Sequence, residues 1–175
     1  MKTVMMLLLF SSVTLAQNNP TLLQAKAACG ADNISFDLKT HHDDAPVFQA
    51  EAGKALVYVI GEDRGGWCDG CGIIARVGMN GTWVGAINGD SHLSFSVDPG
   101  EQHVCVNWQS RFSNRSKRVA LAQLNAESGK IYYFRMRLTI QGEHNPALLD
   151  LDPIDSDEGK YMVAASKLAV STAKK

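Results

Sequence analysis

The sequence predicts a mainly β protein, an antiparallel β-sandwich with a C-terminal α-helix, and three observations carry that expectation. From Gly53 onward apolar and polar residues alternate with a period of two, the spacing of strands with one covered face. The alternating stretches are separated by Asn80-Gly81, Asn88-Gly89-Asp90, Asp98-Pro99-Gly100-Glu101 and Glu127-Ser128-Gly129-Lys130, residue types that accept the backbone angles of tight turns. After Asp155 the apolar spacing lengthens to that of a helix face.

Each element follows in order. Lys2, the apolar run Val4 to Val13 and the small-residue end at Thr14-Leu15-Ala16 form the charged, apolar and cleavable pattern of a secretory signal. The run is about ten residues, half of what a bilayer requires. Residues 1–16 are therefore expected to be a signal peptide and 17–52 an N-terminal segment tied to the domain. Residues 53–153 are expected to form the sandwich, and 154–175 a helix and tail. Good helix formers between Gln17 and Ala31 suggest a short helix, and Asn33 to Asp37 suggests a short first strand. Lys39 to Pro46 is polar and reads as loop.

Ala55 to Ile60 is apolar at every position, as in a central strand covered on both faces. Ile73 to Met79 and Thr82 to Ile87 flank Asn80-Gly81, the strongest hairpin signal. Ser91 to Val97 presents Leu93, Phe95 and Val97 on one face, with His92, Ser94 and Ser96 on the other. Gln102 to Trp108 points Val104, Val106 and Trp108 inward. Four strands joined by three tight turns predict a meander, with His92 and His103 on its solvated face. Val119 to Asn125 is a further strand. Ile131 to Ile140 turns Tyr132, Phe134, Met136, Leu138 and Ile140 inward and Arg135 and Arg137 to solvent. Asp155 and Glu158 suit a capping box, and a stripe through Tyr161, Met162, Ala165, Leu168 and Ala169 predicts a helix from Ser156 to about Ser171.

A chain of 175 residues with net charge −1 suits one domain and sets up no global field toward nucleic acid. A second apolar segment of spanning length is absent from the sequence, and Lys26 before Cys29 breaks the pattern of a lipid-attachment site. The expected protein is exported, periplasmic or secreted, and free of a lipid anchor.

The four cysteines are Cys29, Cys68, Cys71 and Cys105, and four allow three pairings. In an oxidising compartment disulfides are favoured. Cys68 and Cys71, separated by Asp69-Gly70, can close on themselves, which leaves Cys29 to join Cys105. A redox reading of Trp67-Cys68-x-x-Cys71 requires a helix N-terminus to stabilise the thiolate, yet Cys71 leads into Ile73-Ile74-Ala75-Arg76-Val77, a strand. A structural zinc requires four ligands, and the second C-x-x-C is missing. His41 and His42, followed by Asp43-Asp44, are a second weak metal candidate, although adjacent histidines in a polar loop are usually solvated. Asp150, Asp152, Asp155, Asp157 and Glu158 lack the loop glycine and spacing of an EF-hand and read as a turn followed by an acidic first helical turn.

Three further features are candidate contacts. Arg111, Arg115, Lys117 and Arg118, with Phe112 among them, form the one basic cluster, suited to an anionic glycan, a lipid headgroup or nucleic acid, or else a solvated hairpin loop. Trp67 is the aromatic expected to be most exposed, and an aromatic on a sandwich loop is a common partner contact. A G-x-S-x-G elbow is absent, and no cofactor motif or catalytic set stands out.

The runs G-K-A-L-V-Y-V-I, R-V-G-M-N-G-T-W-V-G-A-I, S-F-S-V-D-P-G-E-Q-H-V-C-V-N-W and E-S-G-K-I-Y-Y-F-R resemble the domain-of-unknown-function 2846 family of exported bacterial proteins. The strand–NG–strand–DPG–strand portion also looks like a transthyretin-like or PEGA-like sandwich. The resemblance covers roughly Lys54 to Leu149, implies fold and export, and brings no activity and no catalytic residues. The Trp67 to Cys71 insert departs from it. The expected function is a non-enzymatic binding or accessory module for an envelope protein or glycan, with a redox or metal protein centred on Cys68 and Cys71 as the alternative.

Overall fold

Strand β2 (Ala55–Glu62) organises the molecule, because its side chains are buried on both faces. Ala55, Val57 and Val59 enter one core, while Leu56, Tyr58 and Ile60 enter another. The computed structural model describes residues 28–62, 73–109, 119–139 and 148–174. Within them β1 (Phe36–His41) precedes β2. Then come β3 (Ala75–Met79), β4 (Thr82–Ile87), β5 (Ser91–Val97), β6 (Gly100–Trp108), β7 (Val119–Ala126), β8 (Ile131–Thr139) and β9 (Leu148–Ile154). Helix α1 (Ser156–Ala165) and strand β10 (Lys167–Ala173) complete the order.

The strands form two sheets, a six-stranded one ordered β1-β10-β5-β2-β8-β9 and a four-stranded one ordered β4-β3-β6-β7. They pack face to face around Val57, Val59, Val77, Val104, Val106, Trp108, Phe134, Met136, Leu149 and Ala169. This is the expected β-sandwich, with the expected alternation along β5, β6 and β8. The small sheet is antiparallel. The large one is mixed, because β2 runs parallel to β8 and β10 parallel to β5.

The pairing is not a meander. Asn80 and Gly81 both take positive φ, 48° and 83°, and close the β3–β4 hairpin as their type I′ chemistry requires. The next turn then carries the chain to the other sheet, where β5 pairs with β2. Asp90 N–H donates to the Gly61 carbonyl at 3.1 Å and fastens that crossing. The turn at Gly100 returns the chain so that β6 lies beside β3. Period-two alternation reports which face of a strand is covered, and says nothing of which sheet contains it.

The C-terminal helix is shorter than its sequence stripe implied. Asp155 caps α1 by accepting from Asp157 and Glu158 N–H, both at 2.9 Å, and these bonds hold its carboxyl pKa below the ordinary value. The Glu158 side chain bonds Arg135 at 2.6 Å. Helix α1 ends at Ser166, which is extended. Leu168 and Ala169 therefore belong to β10, which pairs with β1 from Leu168 to Ala173, and Tyr161 points into solvent, 74% exposed. Gly159 and Val163 seat the helix. The first strand begins at Phe36 and runs through residues read as loop. β9 occupies the stretch read as an acidic turn, so Asp152 pairs with Arg137 across adjacent strands. Arg135 and Arg137 are half-buried and paired where solvation was expected.

Tyr132 clamps the crossing from β7 to β8. Its hydroxyl donates to the Asn125 carbonyl at 3.1 Å and accepts from Glu127 N–H at 3.0 Å. The signal segment, residues 17–27 of the expected 17–31 helix, and Ile140 lie outside the described residues; residues 29–31 are not helical, and Gly30 takes a positive φ of 74°.

Candidate functional site

Both outer faces of the sandwich are partly covered by chain, and among the described residues the buried polar side chains Arg76 and His92 sit where the covers are fastened. On the small sheet, Arg76, Gly78, Trp83, Cys105 and Asn107 point outward, and residues 28–35 cross over them. The Cys29–Cys105 disulfide anchors this strap, with Cα atoms 5.2 Å apart, and both cysteines are buried. Arg76, 6% exposed, donates from Nη1 to the carbonyls of Ile34 at 2.7 Å and Asp32 at 3.1 Å, and from Nη2 to Asn107 Oδ1 at 2.8 Å. Its guanidinium lies 4.5 Å from the Trp83 ring centroid, a cation–π contact. Burial pulls its pKa below the ordinary guanidinium value, opposed by the charge of Asp32. Trp83 Nε1–H donates to the Ala31 carbonyl at 2.7 Å. Gln109 holds Phe36 as a neighbouring strand would, accepting from its N–H at 2.6 Å and donating to its carbonyl at 2.7 Å.

The strap leaves a cleft of ≈ 280 Å³ beside Trp83. Its walls are the strap (Ile34 with Gly30 and Ala31), Phe36 of β1, the Gly81–Thr82 turn, and Ala173 at the end of β10. The volume is just under the range of small-molecule sites, which begins at about 300 Å³. Among the described residues of the lining, Thr82 supplies the only side-chain hydroxyl. The rest is apolar side chain and backbone.

On the large sheet, His92 of β5 faces outward but is wholly buried, against the expectation of a solvated surface. The loop after β1 and the α1–β10 junction close over it. Its Nε2 lies 3.2 Å from Asp43 Oδ2 and its Nδ1 lies 2.9 Å from Ser166 Oγ. Burial lowers its pKa, while the hydrogen bond and charge of Asp43 oppose the shift. The neutral ring donates from Nε2 and accepts from the Ser166 hydroxyl. Serine, histidine and aspartate in hydrogen-bonded series are the residue types of a hydrolase triad, but the surroundings are wrong for one. Ser166 caps the C-terminus of α1, the negative end of the helix dipole, so an oxyanion formed there is repelled. The imidazole has no path to a substrate. The three residues are a fastening between loop, sheet and helix.

Cys29 and Cys105 are joined as the cysteine arithmetic implied. Cys68, Cys71, Trp67, Arg111, Arg115, Lys117 and Arg118 lie outside the described residues. His41 and His42 are exposed, and His42 Nδ1 pairs with Asp44 Oδ1 at 3.5 Å. Among the described residues no three His, Cys, Asp or Glu side chains converge to hold a metal. His103 is exposed and its Nε2 lies 3.1 Å from Glu101 Oε1. Trp108 is buried and Trp83 half-buried, as their strand positions implied. The Asp43–His92–Ser166 contact escaped sequence reasoning because its members lie 49 and 74 residues apart. Arg76 had a visible signal, a lone charge inside the apolar strand I-I-A-R-V-G-M.

Compared with known proteins, the chain matches no family model, no curated protein and no solved structure.

Proposed function

We propose that the chain is an exported, non-catalytic binding module that receives an apolar side chain of a protein partner in the Trp83 cleft. The cleft itself carries this reading: an aromatic floor fixed by Arg76 and Ala31, apolar walls, and a single hydroxyl. A rigid aromatic in a desolvating pocket is the usual anchor of a protein interface. A glycan is disfavoured, because its hydroxyls would lose water hydrogen bonds with almost no side-chain partners to replace them. Export is supported by the signal pattern at residues 1–16 and by the Cys29–Cys105 disulfide, a bond that persists in oxidising compartments. Among the described residues, no helix is long and apolar enough to cross a membrane.

The test places a photo-cross-linking p-benzoylphenylalanine at Ala173, on the cleft wall, or at Tyr161 on α1, in chain produced with its native extracellular fraction. The reading expects a discrete protein adduct from position 173, none from 161, and loss of the adduct when Thr82→Arg fills the cleft mouth. Thr82 is exposed, so that variant keeps the fold. Adducts of equal yield at both positions, or an adduct unchanged by Thr82→Arg, would overturn it.

A further inference from the structure

The loop that buries His92 is held by few fastenings, and they share one place. Residues 42–50 have no ladder partner. Beyond Asp43 on His92, the Tyr58 hydroxyl donates to the Val47 carbonyl, and the Phe48 ring lies 6.1 Å from that of Tyr58. Val47 and Phe48 remain 59% and 38% exposed. Beneath the loop Tyr58 and Tyr133 stack at 5.5 Å, 11° from parallel, within the second core of Leu56, Ile60 and Val163.

We propose that residues 42–50 are an acid-released cover over the Tyr58–Tyr133 face, latched through Asp43, His92 and Ser166. It lies on the outer face of the large sheet, shares no residue with the Trp83 cleft, and does not depend on the reading given to that cleft.

Protonating the closed form reverses the Ser166 bond: Nδ1–H now donates, and the hydroxyl turns to the Val163 carbonyl at 3.3 Å. Hydrogen bonds therefore survive. What remains is an imidazolium taken wholly out of water beside one carboxylate. The elements packed around it carry Tyr58, with Tyr133 stacked behind it. Asp90 and Lys167, paired at 3.0 Å, are exposed. Arg135, a strand beyond β2, is engaged by Glu158 and Glu62. Asp43 is the charge that acts directly on the ring.

In the closed form burial lowers the imidazole pKa, whereas opening restores the ordinary value of about 6.5. The open form therefore binds the proton more tightly. Closure is fully favoured above the ordinary pKa and loses ground as pH falls toward the closed-form pKa, below which the dependence flattens. One proton changes the open-to-closed ratio by at most about tenfold per pH unit within that window.

The experiment is an NMR titration of the full chain, following the His92 ring and the amides of residues 43–48, with a hydrophobic fluorescent dye as probe of the uncovered face. The expected result is a His92 midpoint below the ordinary histidine range, loop amides that move with it, and dye binding that rises over the same window. Asp43→Asn keeps a hydrogen-bond acceptor but removes the charge that favours the imidazolium, so its midpoint falls further. A His92 midpoint in the ordinary range, loop amides indifferent to its titration, or a midpoint unmoved or raised by Asp43→Asn would overturn the latch. Wild type and Asp43→Asn decide the matter without a substitution at His92 itself.

Discussion

Replacing Gly159 by alanine sets two known effects against each other, and the packing of α1 fixes which wins. Alanine favours a helix over glycine by about 1 kcal/mol, so propensity alone predicts a more stable protein. A Cβ at this position would lie 2.3 Å from Tyr133 Cγ, 2.6 Å from Cδ1 and 2.7 Å from Cβ. Helix and ring must separate by about 1 Å merely to reach the short end of van der Waals contact. The ring has nowhere to go, since it is stacked on Tyr58, which the Val47 carbonyl holds in turn. The helix must move instead, lifting the fully buried Val163. Overpacking costs about 1–3 kcal/mol, and a ring pinned on its far side places this case near the top of that range. The net expectation for Gly159→Ala is a loss of about 2 kcal/mol, or about 4–8 °C in Tm for a chain of this size. Urea denaturation measures it as a lower midpoint at unchanged slope. A Tyr133→Ala background removes the two ring contacts but keeps the Cβ contact at 2.7 Å, so the cost of the same substitution should fall well below about 2 kcal/mol without reversing into the full helix-propensity gain. A single Gly159→Ala variant as stable as wild type, or more so, would refute the reasoning.

Removing both Cys29 and Cys105 as alanines opens a loop with a sequence separation of 76, worth about 4.5 kcal/mol in the chain-entropy estimate. Calorimetry should show a loss approaching that figure, while a loss below about 1 kcal/mol would mean that Arg76 and Trp83 hold the strap unaided. The two stacked tyrosines should respond oppositely to loss of their hydroxyls. Tyr133 Oη is buried without a partner among the described residues, so Tyr133→Phe is expected to stabilise by about 1 kcal/mol. Tyr58→Phe strands the Val47 carbonyl and is expected to cost about as much. Equal signs in chemical denaturation would contradict this assignment.

The sequence exposed the faces of the strands but not their partners, and the difference has a physical cause. Leu93, Phe95 and Val97 alternate with His92, Ser94 and Ser96 whether β5 pairs with β4 or with β2, since burial of one face is all that alternation records. The same ambiguity hid His92. A histidine opposite an apolar face reads as solvated, and only the fold reveals that loop 42–50 covers it. The helix stripe erred for a related reason. In K-L-A-V-S-T-A apolar residues suit both periods, and the choice was made by β1, whose pairing with β10 satisfies backbone groups along its whole length. The Cys29–Cys105 link was legible because only cysteine count and compartment were needed. The Trp83 cleft was not, since its walls come from the strap, β1, the β3–β4 turn and the end of β10.

The two outer faces follow one rule. A sandwich normally leaves them polar and wet, but here each is partly covered by a segment that has no ladder of its own: residues 28–35 on the small sheet, and residues 42–50, beside α1, on the large one. Such a segment must satisfy its backbone groups some other way, and the sheet side chains do this: Arg76 and Trp83 bond strap carbonyls, and Tyr58 bonds a loop carbonyl. Fastenings made by a few side chains are weaker and less cooperative than strand pairing, so the covers cost less to open than the paired strands beneath them. Groups that elsewhere would suggest catalysis (a buried arginine, a serine–histidine–aspartate series) are used up in fastening. Both proposed sites therefore lie at the margins of the covers: the cleft walled by the strap, Trp83 and Ala173, and the Tyr58–Tyr133 face under the loop that His92 holds.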